Sequence, residues 1–382
     1  MSAEDTEGKD MKSKIDLARE VRKHITTHIA DVWPGFTPFP FIIYDDKEQV
    51  AVGAKWPERY LQVEKDIWVA AGLDSQLFAN TSVMYHGVKT AIWDARTWPD
   101  GIGIAQAAAD VTHEMFHAFQ SEVMADLPPA NELLLPVYPH TAMSVALVIE
   151  ENKLLAEICA SPDAATVNKC LCRIASLRKQ REAEVGADYI EIDKCCETGE
   201  GTAVYAEVCM KAIINESSVL DAADFCLPFL TDDKILSHYR HRCYVVGLVL
   251  CLASDIMWPG WHTMWAASGK TLFDWMSDKL AHVESDESIS AAYLKTADEL
   301  LAAHQSGKEQ KIAEFMAQPH TVIEGDVKLM IFDPMNIVCN NGRCLHKHGK
   351  LRIDGEEQML TTPFLAEYGG TIFDIKRIFI PN

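Results

Sequence analysis

The chain has 382 residues, with 35 basic against 56 acidic side chains and a formal net charge of −21. Hydrophobic residues make up 48% and charged residues 24%, a globular balance in a chain long enough to bury a large core without covalent staples. That acidity excludes general nucleic-acid binding and docking on anionic membranes, both of which need a basic surface. A membrane helix needs roughly 18–20 consecutive apolar residues; the nearest stretch, Tyr244 to Trp258, is shorter and contains Asp255.

Residues 1–14 are polar and acidic, lack the apolar core of a secretory signal, and read as a disordered lead-in. Ile15, Leu17, Val21, Ile25, Ile29 and Val32 recur near helical spacing and predict a helix from Ile15 to Trp33, ended by Trp33-Pro34-Gly35. Phe41 to Tyr44 reads as a buried strand, and a helix is expected over Glu58 to Ala71. Ser82 to Asp94 carries two short β-like runs around His86-Gly87, the pattern of a hairpin. A helix follows from Ile104 to Ala125. Further helices are expected over Met143 to Ala160, Ala164 to Cys195, Glu197 towards Asn215, Ile235 to Met257, Leu272 to Val283, Ser288 to Ala303 and Lys308 to Ala317.

After Pro319 the pattern becomes β-rich. The segments VKLMIF, NIVC, CLHKHGKLRI, MLTTPFLAEY and TIFDIKRIFI read as strands, and Asn340-Asn341-Gly342-Arg343 is a hairpin signal, because Asn-Gly accepts positive φ. The expected fold is therefore α+β: a lead-in (1–14), a domain with a small mixed sheet followed by a mostly helical region (15–318), and a small antiparallel sheet or barrel (319–382). The 11 cysteines, an odd number scattered from Cys159 to Cys344, read mostly as buried, reduced thiols of a cytoplasmic protein. Cys170 and Cys172 would lie on different faces of a helix, and Cys195-Cys196 are adjacent, so neither pair has metal-ligand spacing. The four tryptophans from Trp258 to Trp275 read as core.

Chemistry concentrates in Val111 to Gln120, VTHEMFHAFQ. His113 and His117 are four apart on the expected helix, so both imidazoles leave one face about one turn apart. Two nitrogens so placed can meet one zinc ion at about 2.0–2.1 Å. Glu114 can reach a zinc-activated water and act as general base. The flanking Thr112, Met115, Phe116, Ala118 and Phe119 are uncharged, as a buried helix requires.

This stretch resembles the zinc-binding helix of zincin metallopeptidases. The metzincin branch would need Gly and His where the chain has Gln120 and Val123, which leaves the gluzincin branch, with its third ligand a glutamate on a later helix. Glu200-Gly201-Thr202-Ala203-Val204-Tyr205 resembles the E-G-x-A-x-Y pattern of gluzincin-like families, and the resemblance makes Glu200 the third ligand. Gly201 and Ala203 are small, which would let this helix approach the first closely. Ala203 and Glu207 share a face with Glu200, so Glu207 can hydrogen-bond a ligating histidine. Glu197 shares that face and is the second candidate; the alternative is a solvated acidic helix start favoured by the helix dipole. The layout of a mixed sheet before the motif and helices after it also resembles zincins.

A second cluster is His238-Tyr239-Arg240-His241-Arg242-Cys243-Tyr244. Gluzincins use a His or Tyr from their C-terminal half to stabilise the oxyanion, so the resemblance makes Tyr239, His241 and Tyr244 candidates, with Arg240 placed to hold a substrate carboxylate. The competing interpretation is a basic helix face. His86, His140, His346 and His348 read as structural or solvated. The expectation is a cytoplasmic peptidase with one zinc ion per chain, held by His113, His117 and Glu200, acting on a peptide or protein substrate, with no nucleic-acid or membrane partner. Two alternatives stand beside it: a zincin-fold binding or regulatory protein without turnover, and a structural zinc site with Glu197 or Glu207 as fourth ligand.

Overall fold

The computed structural model describes residues 13–124, 131–231, 235–280, 288–333, 336–369 and 374–382. The lead-in up to residue 12, Ala125 at the expected end of the motif helix, and the expected helix end at Val283 lie outside them. The chain forms two compact units, discontinuous in sequence: residues 1–127, 197–227 and 247–275 in the first, and 128–196, 228–246 and 276–382 in the second.

In the first unit Ser13 caps α1 (Lys14–Val32) by accepting from the Asp16 N–H, and Leu17, Val21, Ile25 and Ile29 form its buried face. Six strands follow: β1 (Phe41–Tyr44), β2 (Glu48–Val52), β3 (Leu61–Glu64), β4 (Ile67–Ala71), β5 (Thr81–Tyr85) and β6 (Val88–Asp94). They make one sheet in the order β3-β4-β2-β1-β6-β5, with β1 and β6 parallel and every other pair antiparallel. The helix expected over Glu58 to Ala71 is thus a β-hairpin. Asp66 adopts φ +60° at the turn, and the aromatic and β-branched run Ile67-Trp68-Val69 suits a pleated surface better than a helix. The hairpin at His86-Gly87 is present, both residues with positive φ. α2 (Ile104–Val123) then packs on α1 and β6.

Several expected helix boundaries move: the helix expected from Ile235 begins at Tyr239, and the one expected over Leu272 to Val283 ends at Ser277. α3 (Ala142–Ala160) opens with a reciprocal capping box between Thr141 and Ser144. α4 (Ala164–Val185) stops at Gly186, which takes φ +98°, and α5 runs unbroken from Ala187 to Asn215. Glu197 and Glu200 therefore lie in the interior of a 29-residue helix, not at an acidic helix start. α6 (Val219–Ala222), α7 (Tyr239–Met257), α8 (Trp261–Ala266) and α9 (Leu272–Ser277) follow, and α10 (Ala291–Met316) is one helix across Gly307 where two were expected. A single interior glycine costs a helix about 1 kcal/mol, too little to break 26 residues. Among the described residues no helix is long and apolar enough to cross a membrane.

In the first unit, Trp33 of the α1 C-cap meets Phe116, Tyr205, Trp261 and Trp265 edge-on, with ring centroids 4.9 to 6.0 Å apart, so the tryptophan-rich segment supplies core. α5 and α7 meet there glycine on glycine: a Cβ on Gly201 would lie 2.3 Å from the Gly247 Cα, and one on Gly247 would lie 2.0 Å from the Glu197 carbonyl oxygen. Gly201 thus serves an approach to α7, where the sequence suggested the motif helix.

In the second unit α3 packs against α4 and α10. Glu151 of α3 is fully buried among Arg178 and Arg181 of α4 and Arg242 of α7, at 2.6, 2.9 and 3.2 Å. The tail forms β7 (His320–Glu324), β8 (Val327–Phe332), β9 (Ile337–Asn340), β10 (Arg343–His346), β11 (Gly349–Ile353), β12 (Glu356–Leu360), β13 (Phe364–Tyr368) and β14 (Ile375–Pro381). Rather than a single sheet or barrel, they make two antiparallel sheets, β7-β14-β13-β10-β9 and β12-β11-β8. Asn341 and Gly342 make the expected turn with φ of 49° and 75°. Cys339 and Cys344 face each other across that hairpin and form a disulfide; the other nine cysteines are not disulfide-bonded.

Candidate metal centre

The α2 sequence is apolar around a polar stripe. Gln106, Asp110, His113, His117 and Gln120 succeed one another at alternating steps of four and three, the spacing of one helix face. Opposite them α5 presents Glu200 and Glu207. The imidazole Nε2 atoms of His113 and His117 are 3.2 Å apart, and the Glu200 Oε2 lies 3.7 Å from the first and 3.3 Å from the second. Four donors at zinc–ligand distances of about 2.0–2.1 Å in a tetrahedron stand about 3.3 Å from one another. The three donor atoms thus already have the mutual spacing of three corners of a zinc tetrahedron, and this donor set fits the ion the sequence implies. Among the described residues the group comprises His113, His117 and Glu200. Glu197, buried one turn earlier, is not part of it.

The far ring nitrogens are held in turn. His113 Nδ1 is 3.0 Å from Glu207 Oε2, and a carboxylate can only accept, so this nitrogen carries the proton. His117 Nδ1 is 2.8 Å from Gln120 Oε1. The Gln120 amide orientation is decided by its other end, whose Nε2 donates to the Gly199 carbonyl at 2.7 Å and to the Thr202 hydroxyl at 2.7 Å. With both Nδ1 atoms engaged by these acceptors, the two Nε2 atoms are the ring nitrogens that face Glu200. Glu207 has the role its helix position suggested. Gln120, which the sequence offered only as a reason against metzincins, is a positioning residue that sequence reasoning missed; its i+3 spacing from His117 was the available signal.

The stripe continues upstream. Asp110 accepts from the Trp98 indole N–H at 2.6 Å and from Gln106 Nε2 at 2.6 Å, and Gln106 Nε2 lies 3.4 Å from Glu207 Oε1. Burial, and then the charge of Glu207, push the Asp110 carboxyl up to about 6. At His113 burial opposes the charged form, but Glu200 and Glu207 outweigh it and hold the imidazole well above its ordinary value; His117 is raised in the same way by Glu200. Burial also raises Glu114, with Glu200 and Glu207 adding to the shift against His113 and His117. A pocket with this excess of carboxylates around two imidazoles attracts cations.

Comparison of the chain with protein-family models, with curated proteins and with solved structures finds no match. The site is therefore argued from its own geometry. The remaining candidates belong to the second unit. Tyr239 is buried there and donates to Asp193 at 2.9 Å, beside Tyr138, which donates to the same oxygen. Arg240 lies over the Tyr244 ring and hydrogen-bonds its hydroxyl, and His241 stacks on Phe229 with centroids 6.2 Å apart. His346, on β10, is buried against Phe364, and His348 lies between β10 and β11.

Proposed function

We propose that the chain is a zinc-dependent peptidase of gluzincin type, and that the first unit is a zincin-like catalytic unit. The observation that carries this reading is the mutual spacing of 3.2, 3.3 and 3.7 Å among His113 Nε2, His117 Nε2 and Glu200 Oε2. Glu207 supports it further. Because it is committed to His113 Nδ1, it serves the ligand's orientation and not a fourth coordination position. A site with three protein donors keeps one position for water and substrate, the arrangement of catalytic rather than structural zinc.

In this reading His113, His117 and Glu200 hold one zinc ion, which supplies Lewis acidity and an activated water when bound. Glu114 would act as the general base toward the attacking water and would pass the proton to the departing amine of a peptide or protein substrate. Glu207 and Gln120 keep the two imidazoles from rotating. That nine of the 11 cysteines stand outside the Cys339–Cys344 disulfide supports a cytoplasmic setting.

The test is metal content by mass spectrometry on protein purified without added metal, beside His113→Ala and Glu200→Ala, together with cleavage of a mixed peptide library. About one zinc per chain, lost in both variants, and peptide cleavage lost in Glu114→Gln with zinc retained, are expected. Full cleavage by metal-loaded Glu114→Gln would end the general-base assignment, and failure of the wild-type chain to take up zinc would end the reading altogether.

A further inference from the structure

The second unit contains a cavity of about 840 Å³, between the helix α10, the segment from Leu135 to His140, the start of α7 and the strands β9 and β10. That is the size of a pocket for a ligand as large as a nucleotide. Its lining inverts the charge of the chain. Acidic residues are 56 of 382, yet none of the described lining residues is acidic. Arg240, Lys308, Lys311 and Lys347 all line it, as do five of the chain's 14 histidines. Leu236, Leu300, Ile337 and Val338 supply an apolar wall.

Two further observations point to a ligand. The Nδ1 atoms of the lining residues His238 and His346 are buried without a hydrogen-bond partner, and His346 itself is 1% exposed. Buried polar atoms in native proteins are nearly always paired, so two such atoms at one cavity call for a partner. The cationic groups also strain against one another. Burial first, then His304, Lys308 and Arg181, push His140 down to about 3; burial, Lys308 and Lys311 push His304 down to about 4. An anion placed among them would relieve that repulsion.

We propose that this cavity binds a small molecule bearing two or more phosphate groups. The three lysines alone, Lys308, Lys311 and Lys347, exceed what one carboxylate neutralises. Lysines spaced along α10, with a guanidinium and imidazoles opposite, offer point charges and donors to several phosphate oxygens at once. The low-dielectric walls concentrate this positive field inside an otherwise anionic protein. None of the described lining residues belongs to the metal centre, and the proposal does not rest on it.

The experiment is calorimetric titration of the full chain with sodium tripolyphosphate, ATP and citrate at fixed ionic strength. The neutral chelator 1,10-phenanthroline is present so that chelation at a metal plays no part. Saturable binding of tripolyphosphate or ATP at one site per chain is expected, weakened at least tenfold in Lys308→Gln/Lys311→Gln and severalfold in the exposed-residue variant Lys347→Gln. Lys295→Gln, a surface lysine of α10 outside the cavity, should bind as wild type. Tighter binding of ATP than of tripolyphosphate assigns a nucleotide; equal binding assigns the phosphate chain itself. No saturable binding, equal affinity in the double variant with its fold intact by circular dichroism, or citrate bound as tightly as tripolyphosphate would overturn the proposal.

Discussion

Alanine at Gly201 and alanine at Gly199, two residues apart on α5, should act in opposite directions. Nothing lies within 4 Å of a Cβ built on Gly199, so Gly199→Ala gains helix propensity without cost, about 0.5–1 kcal/mol of stability. A Cβ on Gly201 would stand 2.3 Å from the Gly247 Cα and 2.7 Å from its carbonyl carbon. Ordinary carbon contacts are about 3.5–4.0 Å, so α5 and α7 must part by about 1 Å or more, and neither obstacle is a side chain that can turn aside. Overpacking of this kind costs about 1–3 kcal/mol, and backbone against backbone belongs at the upper end. The displacement falls on the residue after Glu200. Metal donors tolerate about 0.2 Å, so zinc affinity should drop at least about tenfold in Gly201→Ala and hold in Gly199→Ala. Urea unfolding followed by tryptophan fluorescence reads the first effect, and competition with a chromophoric chelator reads the second. Wild-type stability with wild-type zinc affinity in Gly201→Ala would refute the glycine-on-glycine crossing and its part in placing Glu200.

Gln120→Ala frees His117 Nδ1 from its acceptor and should weaken zinc about 10- to 100-fold in the same competition assay while leaving the fold intact. Glu151→Gln leaves three buried guanidinium groups short of their shared carboxylate and should cost about 3–5 kcal/mol in urea unfolding. Burial works against the Glu151 charge, but Arg178, Arg242 and Arg181 hold its carboxyl far below 4.5. Its contribution is therefore complete above pH 4.5 and drains away as pH falls below it, and thermal melts of Glu151→Gln should be flatter in that range than those of wild type. His140, held neutral down to about 3, adds a loss of the same sign as pH falls below 6.5, which His140→Phe should remove from the melting profile. A thiol reagent should count nine thiols in the denatured, unreduced chain and 11 after reduction.

The parts of the fold written in local pattern were legible. The apolar positions of α1 repeat at helical spacing, His86-Gly87 and Asn341-Gly342 mark hairpins because their backbones need positive φ, and the motif helix shows in its unbroken uncharged flank. Where the reading failed, longer-range packing decided. Leu61 to Ala71 has residues that tolerate a helix, but pairing of β4 with β2 buries Ile67 and Ala70 on opposite faces of the strand, as one face of a helix could not. Gly186 and Gly307 look alike in sequence; one ends a helix at φ +98° and the other is carried through one. Gly201 was legible as a close approach but not its partner, because Gly247 is 46 positions away on another helix. The disulfide was invisible for a related reason. Cys339 and Cys344 become neighbours only once the Asn-Gly turn sets the register.

The candidate site divides along the same line, and the division says something about its chemistry. H-E-x-x-H is the visible middle of a longer ladder on α2, from Gln106 through Asp110, His113 and His117 to Gln120. Each step of it is tied: Gln106 and Trp98 to Asp110, His113 to Glu207, His117 to Gln120, and Gln120 to the backbone and hydroxyl of α5. Single motif residues do not reveal this, because the bonds made by Gln106 to Glu207, by His113 and by the Gln120 amide nitrogen have their other half on α5, some eighty to a hundred positions later. Its consequence is rigidity. Two imidazoles and a carboxylate on independent rotamers would lose conformational entropy on gathering around an ion, whereas here the ring orientations and tautomers are set by bonds that require no ion. A donor set already at tetrahedral spacing, on α2 and α5 with hydrogen bonds running between the two helices, is arranged so that binding energy is not consumed in assembling it.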